Sequence, residues 1–224
     1  MFVTLEGPDG AGKTTQTALL VERLRGEGYD VCAIREPGGT DLGTAIREVL
    51  VRRNWTPIDA RAEALLFAAC RAQLMVEVIE PALARGAIVV ADRFADSTRA
   101  YQGAGRGLPR DELEGLIATA TRGITPDLTF LLDVPVMVGR SRQAPPAGAP
   151  ATTLPAAESG AAATEGWNRF EDEASAFHER VREAYLELAH AEPGRWILVD
   201  ASQPLPAVHS ALWGQLAERL PPRS

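Results

Sequence analysis

A glycine-rich segment near the start of the chain, Gly7–Thr14, constrains the fold more than any other part of the sequence. It reads GPDGAGKT, follows a short apolar run and precedes a helical pattern over Thr14–Leu24. That order of strand, tight turn and helix is the context in which the pattern G-x-x-x-x-G-K-S/T forms a phosphate site. Glycines let the backbone curl until its N–H groups converge on phosphate oxygens, and the positive end of the following helix adds to that field. The segment therefore predicts a chain that binds a nucleoside polyphosphate.

Two side chains of this loop are expected to meet the charges of the nucleotide. Lys13 supplies a mobile cation for the outer phosphates. The Thr14 hydroxyl is placed to ligate Mg²⁺, and Asp92, at the end of a later apolar run, is a further candidate ligand.

The composition favours one domain, 1–224, with an enclosed core. The chain has 224 residues, of which 46% are hydrophobic. Its net charge of −7 argues against broad contact with nucleic acid or a membrane surface, so local arginines and lysines must meet the anionic ligand. Cys32 and Cys70 fall in apolar stretches and fit buried, reduced thiols. With no basic leader and no apolar run of membrane-spanning length, we expect a cytoplasmic protein without nucleic-acid or membrane partners.

Five short apolar runs alternate with helical patterns along the chain. Several are apolar almost throughout, as expected of strands whose two faces are both covered. The alternation predicts an α/β fold of the P-loop NTPase type, a three-layer α/β/α arrangement with a five-stranded parallel sheet surrounded by helices. The predicted strands are Phe2–Leu5, Asp30–Arg35, Ala87–Asp92, Asp127–Asp133 and Arg195–Asp200. Ligands bind beyond the carboxyl ends of such strands, so the residues there are the candidates for a site.

Prolines mark two helix starts, and one segment breaks the regular pattern. Thr56-Pro57 predicts the beginning of a long helix that reaches about Arg85, and Pro109 predicts a helix over Arg110–Ala120. From about 143 to 166 the chain is nearly all Ala, Pro, Gly, Thr and Ser. That composition predicts a flexible surface excursion, because it cannot bury enough apolar surface to offset the entropy of ordering.

Polar and aromatic residues that follow the second and third strands, or lie one turn apart in the long helix, gather above one sheet edge. They are Arg35–Thr40, Phe67, Arg71, Asp92-Arg93, Ser97, Tyr101 and Gln102. Each taken alone has an ordinary explanation as a loop, a salt bridge or a core side chain. Their joint position indicates a second binding site beside the phosphate loop.

Together these segments resemble the thymidylate kinases, the P-loop nucleoside monophosphate kinases that phosphorylate dTMP. The matching pieces are Leu5-Glu6-Gly7 with Asp9, Arg35–Thr40, Leu66-Phe67 with Arg71, Asp92–Gly103, and Arg169 with Glu171. The resemblance covers almost the whole chain in order. It implies transfer of the γ-phosphoryl group of ATP to dTMP, giving dTDP for dTTP synthesis, with Mg²⁺ as cofactor. It also implies a homodimer and a lid over 140–170.

The resemblance gives each residue of the second site a role toward the base or the sugar. Phe67 would stack on the thymine ring, and Arg71 would donate to a base carbonyl. Ser97 and Gln102 would line the base and sugar pocket. Tyr101 would crowd the 2′ position and favour deoxyribose.

The remaining roles concern the phosphate, the sugar 3′-hydroxyl and the ATP. Arg35 and Arg93 would grip the dTMP phosphate, since planar forked donors suit a dianion, and Asp9 would contact the 3′-hydroxyl. Ala201-Ser202 would hold adenine largely with backbone. The ATP-binding residues would be Gly7, Pro8, Asp9, Gly10, Ala11, Gly12, Lys13, Thr14 and Thr15.

The mechanism that the resemblance implies needs no general base, because a phosphate with a second pKa of about 6 is already ionised at neutral pH. Catalysis then consists of alignment and of cancelling the repulsion between two anions. The loop carries no arginine after Asp9, so the lid must supply one, from Arg140, Arg142 and Arg169. Arg142 and Arg169 are expected to share the task because they bracket the 143–166 segment. The predicted catalytic residues are Lys13, Arg93, Arg142 and Arg169.

Two other functions are compatible with the phosphate loop. One is a different P-loop kinase, acting on another nucleotide or on a deoxynucleoside, although a deoxynucleoside kinase would need a general base for its neutral hydroxyl. The other is a non-catalytic NTP-binding regulatory module. A GTPase switch would carry an N-K-x-D motif, which the sequence lacks.

Overall fold

The central sheet has five parallel strands in the order β2-β3-β1-β4-β5. The structure, a computed structural model, describes residues 1–52, 57–143, 170 and 173–222. The strands are β1 (Phe2–Glu6), β2 (Val31–Arg35), β3 (Ile88–Asp92), β4 (Leu128–Asp133) and β5 (Trp196–Asp200). Each strand lies within one residue of its predicted bounds. All neighbouring strands pair in parallel, so the prediction of a five-stranded parallel sheet is confirmed.

Helices cover both faces of this sheet. They are α1 (Lys13–Gly26), α2 (Asp41–Val51), α3 (Ala60–Leu74), α4 (Glu80–Ala84), α5 (Ala95–Thr98), α6 (Arg110–Thr121), α7 (Val136–Gln143), α8 (Ser175–Ala191) and α9 (Leu205–Ala217), with π-helical stretches at Met75–Ile79 and Arg99–Gly105. The described parts of the chain contain no helix long and apolar enough to span a membrane.

The start of the long helix was predicted too early. The helix begins at Ala60, and its N-cap is Asp59, whose carboxylate accepts hydrogen bonds from the backbone N–H groups of Arg61 and Ala62. An aspartate cap satisfies N–H groups that would otherwise lack partners, and this signal outweighs the proline three residues before the helix. Thr56 lies outside the described residues. The helix prediction after Pro109 is confirmed.

Alternate residues of β1 point into two separate apolar cores. Val3 and Leu5 pack in one core with Leu20 of α1, and Phe2 packs in the other with Leu74 of α3. Because both faces of the sheet are covered, the strands are apolar almost throughout.

The parallel arrangement brings all five strand ends to one edge of the sheet. The register pairs Leu5 of β1 with Asp92 of β3, and Asp92 in turn pairs with Arg35 of β2. The glycine-rich loop after β1 therefore lies beside the residues that follow β2 and β3, which is the juxtaposition that the sequence predicted.

Candidate active site

The first of two adjoining clefts at this edge, the P-loop cleft, is built on the glycine-rich loop. It encloses about 700 Å³ and is lined by Asp9–Gln16, Arg142-Gln143, Ala201–Leu205 and Val208. Gly12 caps α1 in the left-handed conformation with φ of 86°, which glycine adopts without strain. The first N–H groups of α1 thus face the cleft, as an anion site requires.

The loop and α7 approach each other backbone to backbone. A Cβ atom on Gly10 would lie 2.1 Å from the Gly139 carbonyl oxygen, and one on Gly139 would lie 2.4 Å from that of Asp9. Only glycine fits either position. This contact fixes the helix that carries Arg140 and Arg142 directly against the phosphate loop.

Lys13 lies inside the curl of the loop. Its side chain is buried, and its amino group donates to the carbonyl oxygens of Gly7 and Pro8 at 3.1 and 2.8 Å. These two predicted ATP-binding residues do not line the cleft themselves. Burial, together with the nearby charge of Arg93, lowers the pKa of Lys13 to about 8. A polyphosphate would supply the negative charge that this buried cation lacks.

The two predicted metal ligands lie in direct contact. The Thr14 hydroxyl donates to Asp92 Oδ2 at 2.5 Å, and the Asp92 carboxylate is almost fully buried at the end of β3. Hydroxyl and carboxylate oxygens are the hard donors that Mg²⁺ prefers, and this ion is usually held by one or two protein groups together with substrate phosphates. The described residues include no cluster of three or more acidic, histidine or cysteine side chains that could hold an ion alone. The donor set thus fits an ion that also binds the nucleotide phosphates.

Of the three arginines predicted to lie in a lid, Arg142 lines the P-loop cleft. Its guanidinium donates to the backbone oxygens of Ala201 and Ser202 at 2.8 and 3.3 Å. Arg140 instead donates to the backbone oxygen of Glu173 at 3.0 Å. Arg169 lies outside the described residues, as does the 143–166 segment after Gln143.

The second cleft, here the Phe67 cleft, collects most of the residues predicted to bind the phosphate acceptor. The predicted residues in its wall are Asp9, Phe67, Arg93, Ser97, Tyr101 and Gln102. It encloses about 100 Å³. Asp9 lines both clefts, so the two sites meet at this carboxylate.

Arg93 is the centre of the polar network between the clefts. Its guanidinium is paired with the Asp9 carboxylate and donates to the Tyr101 hydroxyl at 3.0 Å. Tyr101 in turn donates to Asp9 at 2.8 Å. Burial raises the pKa of Asp9, but the charges of Arg93 and Lys13 outweigh it, so this pKa lies below its ordinary value. The ligand-free site therefore holds an ionised carboxylate against Arg93.

Two predicted residues do not line the Phe67 cleft. Arg71 is fully buried, and its guanidinium donates to the Glu36 carboxylate at 2.6 and 2.9 Å and to Thr98 Oγ1 at 3.1 Å. Glu36 and Thr98 line the cleft, so Arg71 lies behind its wall. Arg35 Nε is 3.6 Å from Asp92.

Six residues that line this cleft have no role predicted from the sequence: Glu36, Pro37, Arg47, Val51, Thr98 and Phe170. Glu36 and Pro37 belong to the Arg35–Thr40 segment that the sequence places at this edge, and Thr98 belongs to the Asp92–Gly103 segment, whereas Arg47, Val51 and Phe170 were missed altogether. The ring centroid of Phe170 is 6.1 Å from that of Phe67 and 6.2 Å from that of Tyr101, so three aromatic rings form one apolar wall. The position of Phe170 beside the predicted lid arginine was the available signal for it.

Comparison with known proteins identifies the family to which this arrangement belongs. A sequence model described as "Thymidylate kinase" matches residues 5–146. The chain is 46% identical over 219 residues to the thymidylate kinase of Deinococcus radiodurans, covering 98% of this chain and 97% of that one. It is 48% identical over 217 residues to the thymidylate kinase of Thermomicrobium roseum, covering 97% and 94%. The chain belongs to the thymidylate kinase family. Its fold also matches the crystal structure of thymidylate kinase from Ehrlichia chaffeensis, with a TM-score of 0.72 and 31% identity over 96% of this chain and 98% of that chain.

Membership of this family confirms the predicted activity. The enzyme is an ATP-dependent phosphotransferase that converts dTMP to dTDP. The two other functions considered, a different P-loop kinase and a non-catalytic NTP-binding module, are set aside by the same match.

The contact between the loop and α7 can be tested with a single methyl group. We expect Gly139→Ala to push α7 away from the loop, lower the melting temperature and reduce kcat/KM for ATP at least about tenfold, since misplacing catalytic groups by an ångström has effects of this size. Gly115→Ala is the matched control, because a Cβ there meets nothing within 4 Å and alanine favours a helix. Equal kinetics for the two variants would contradict this account of the contact.

The depressed pKa of Lys13 predicts a pH-dependent stability. Below pH 8 the folded chain carries a buried charge whose cost disappears as pH rises from about 8 toward the ordinary pKa of 10.5. Lys13→Met should therefore raise the free energy of unfolding at pH 7 by about 1–3 kcal/mol while abolishing phosphoryl transfer. Denaturant unfolding of both proteins at pH 7 and pH 10 measures the difference. It should shrink at the higher pH, and a difference that grows with pH would refute the assignment.

Proposed function

We propose that ATP occupies the P-loop cleft, that dTMP occupies the Phe67 cleft, and that the transferred phosphoryl group passes between them beside Asp9 and Arg93. The observation that carries this proposal is the position of Asp9, which lines both clefts and is paired with Arg93. ATP in one cleft and dTMP in the other would have their phosphates next to each other beside this pair.

In the Phe67 cleft, the aromatic wall and the polar residues would divide the nucleotide between them. Phe67 would stack on thymine, Ser97 and Gln102 would line the base and sugar pocket, and Tyr101 would crowd the 2′ position. The cleft holds about 100 Å³, less than the roughly 300 Å³ of small ligand pockets. Side chains that line it, Phe170 among them, would therefore move when dTMP enters.

Arg93 would exchange one anionic partner for another during binding. In the free enzyme it is paired with the Asp9 carboxylate. A phosphate dianion offers more charge and a matching pair of oxygens, so it would draw the guanidinium away. Asp9 would then be released to accept a hydrogen bond from the sugar 3′-hydroxyl.

Phosphoryl transfer would depend on cations that the ligand-free protein already holds at the P-loop cleft. Lys13 would move from the loop carbonyls to the outer phosphates of ATP, and Arg142 would leave its backbone acceptors to meet the transferred group. Thr14 and Asp92 would hold Mg²⁺, which, when bound, neutralises charge on the β- and γ-phosphates. The roles of Arg35, Arg71 and Arg169, the lid over 140–170, the cytoplasmic location and the place in dTTP synthesis stay predictions from the sequence.

An ADP-release assay with ATP, Mg²⁺ and a panel of monophosphates tests the acceptor site. We expect the highest kcat/KM with dTMP, and a loss of about 10–100-fold in Phe67→Ala, since base stacking on an aromatic ring contributes about 1–3 kcal/mol. The KM for ATP should change less than about twofold. Leu198→Ala, at an exposed side chain of β5 outside both clefts, is the control. Preference for AMP, CMP or UMP would contradict the assignment, as would an unchanged KM for dTMP in Phe67→Ala.

We also propose that two copies of the chain associate through the outer faces of α2 and of the segment that α3 begins. Leu42 and Val49 are 49% and 38% exposed on α2, and Leu65 and Val76 are 58% and 50% exposed on the second segment. Large apolar side chains repeated at helical spacing on neighbouring helices favour burial against an identical face.

Light scattering coupled to size-exclusion chromatography tests this dimer. The wild-type chain should have twice the mass of one chain, and the double variant Leu65→Glu/Val76→Glu should have the mass of one. Leu198→Glu introduces the same charge at a side chain that is 54% exposed on β5, and it should remain a dimer. A wild-type chain that is monomeric at micromolar concentration would overturn the proposal.

A further inference from the structure

A buried carboxylate beneath the two clefts has no part in the mechanism above. Glu6 ends β1, directly before the glycine-rich loop, and its side chain is fully buried. It accepts hydrogen bonds from three donors: the Phe94 backbone N–H at 2.7 Å, Ser97 Oγ at 2.7 Å and the Tyr185 hydroxyl at 2.9 Å. Because it is buried, Glu6 cannot touch a substrate, and its effect must pass through these partners.

The first partner fixes the backbone at Arg93. Arg93 has φ of 73°, in the left-handed region that residues other than glycine rarely adopt because it strains the backbone. The next residue, Phe94, donates its N–H to Glu6 Oε1. This bond holds the turn that directs the Arg93 side chain back over the sheet edge.

The other two partners fix the guanidinium. Ser97 Oγ and the Tyr185 hydroxyl both donate to Glu6 Oε2, and each oxygen lies 3.2 Å from Arg93 Nη1. A hydroxyl has only one proton to give. The two oxygens are also 2.8 Å apart. Whether a proton goes to the carboxylate or to the other oxygen, neither goes to Arg93, so both oxygens turn lone pairs toward its guanidinium.

We propose that Glu6 is a positioning residue that fixes both the backbone turn and the guanidinium of Arg93 for the phosphate of dTMP. This inference rests on the proposed role of Arg93 in binding that phosphate. Tyr185 of α8 is one of the residues that transmit the effect, although it lies 92 residues along the chain from Arg93.

The test compares the binding of dTMP with that of thymidine, which lacks the phosphate. In Glu6→Gln, one amide oxygen can still accept from Phe94, but an NH₂ donor replaces the acceptor of the two hydroxyls. We expect the Kd for dTMP to rise about tenfold or more, a typical loss for a buried hydrogen bond to a charged group, while the Kd for thymidine stays within about twofold. Burial and the neighbouring Asp96 raise the pKa of Glu6 to about 7, so calorimetry at pH 8 keeps the carboxylate charged.

A matched pair of tyrosine variants gives a second test of the role of Glu6, which can be used even if Glu6→Gln fails to fold. Tyr185→Phe removes one oriented hydroxyl and should weaken dTMP binding, but not thymidine binding, by about three- to tenfold. Tyr29→Phe makes the same chemical change at a hydroxyl that donates to the Pro221 carbonyl, and it should change neither Kd.

Arg93→Met separates failure of the inference from failure of the proposed function. If Arg93→Met leaves the ratio of the two Kd values unchanged, the phosphate role of Arg93 is wrong, and the inference falls with it. If Arg93→Met abolishes the preference for dTMP while Glu6→Gln and Tyr185→Phe retain it, the role of Arg93 stands and Glu6 is not a positioning residue. Equal weakening of dTMP and thymidine in Glu6→Gln would also overturn the inference, because it indicates general damage to the fold.

Discussion

The ion pair between Asp9 and Arg93 joins the two halves of the active site. Asp9 belongs to the loop after β1 and Arg93 to the turn after β3, and these strands are neighbours because the sheet places β3 beside β1. The pair is largely shielded from solvent, so neither charge can lose its partner without a replacement. In the binding mode proposed above, a substrate phosphate would be that replacement, so the same pair would keep the free site intact and select for an anion.

The same shielding explains why the polar groups around the pair form a continuous network. Tyr101 contacts both members of the pair, and Ser97 and Tyr185 accept from the guanidinium on its other side. Each hydrogen bond in such a network limits the orientations of the next, and a half-satisfied network would be costly in a buried site. Placement of this one arginine thus requires residues from several parts of the chain, and one of them, Tyr185 of α8, does not line the Phe67 cleft.

Features that depend on adjacent residues could be predicted from the sequence, and contacts between residues far apart in the chain could not. The strands and the phosphate loop were predicted almost to the residue, because apolar runs and a tight glycine turn are properties of adjacent residues. The partner of Arg71 was not predicted, because Glu36 lies 35 residues away and their contact depends on how β2 and α3 pack. The hydrogen bond from Tyr185 to Glu6 joins residues 179 positions apart, so it could not be predicted from the sequence either. A wrong helix start arose where two local signals, Pro57 and Asp59, competed.

The two ends of the predicted lid region are far apart in the chain but in contact in the structure. Arg140 donates to the Glu173 backbone oxygen, and the Glu173 carboxylate accepts from Arg106. Arg106 is paired with the fully buried Glu63, which also accepts from Gln102 in the wall of the Phe67 cleft. Both ends are thereby tied to the acceptor site. Because the entropy of closing a loop grows only slowly with its length, many added residues between such fixed ends would cost this enzyme little stability. The anchoring bonds, rather than the number of residues between them, hold Arg140 next to Glu173 and so keep the two ends together.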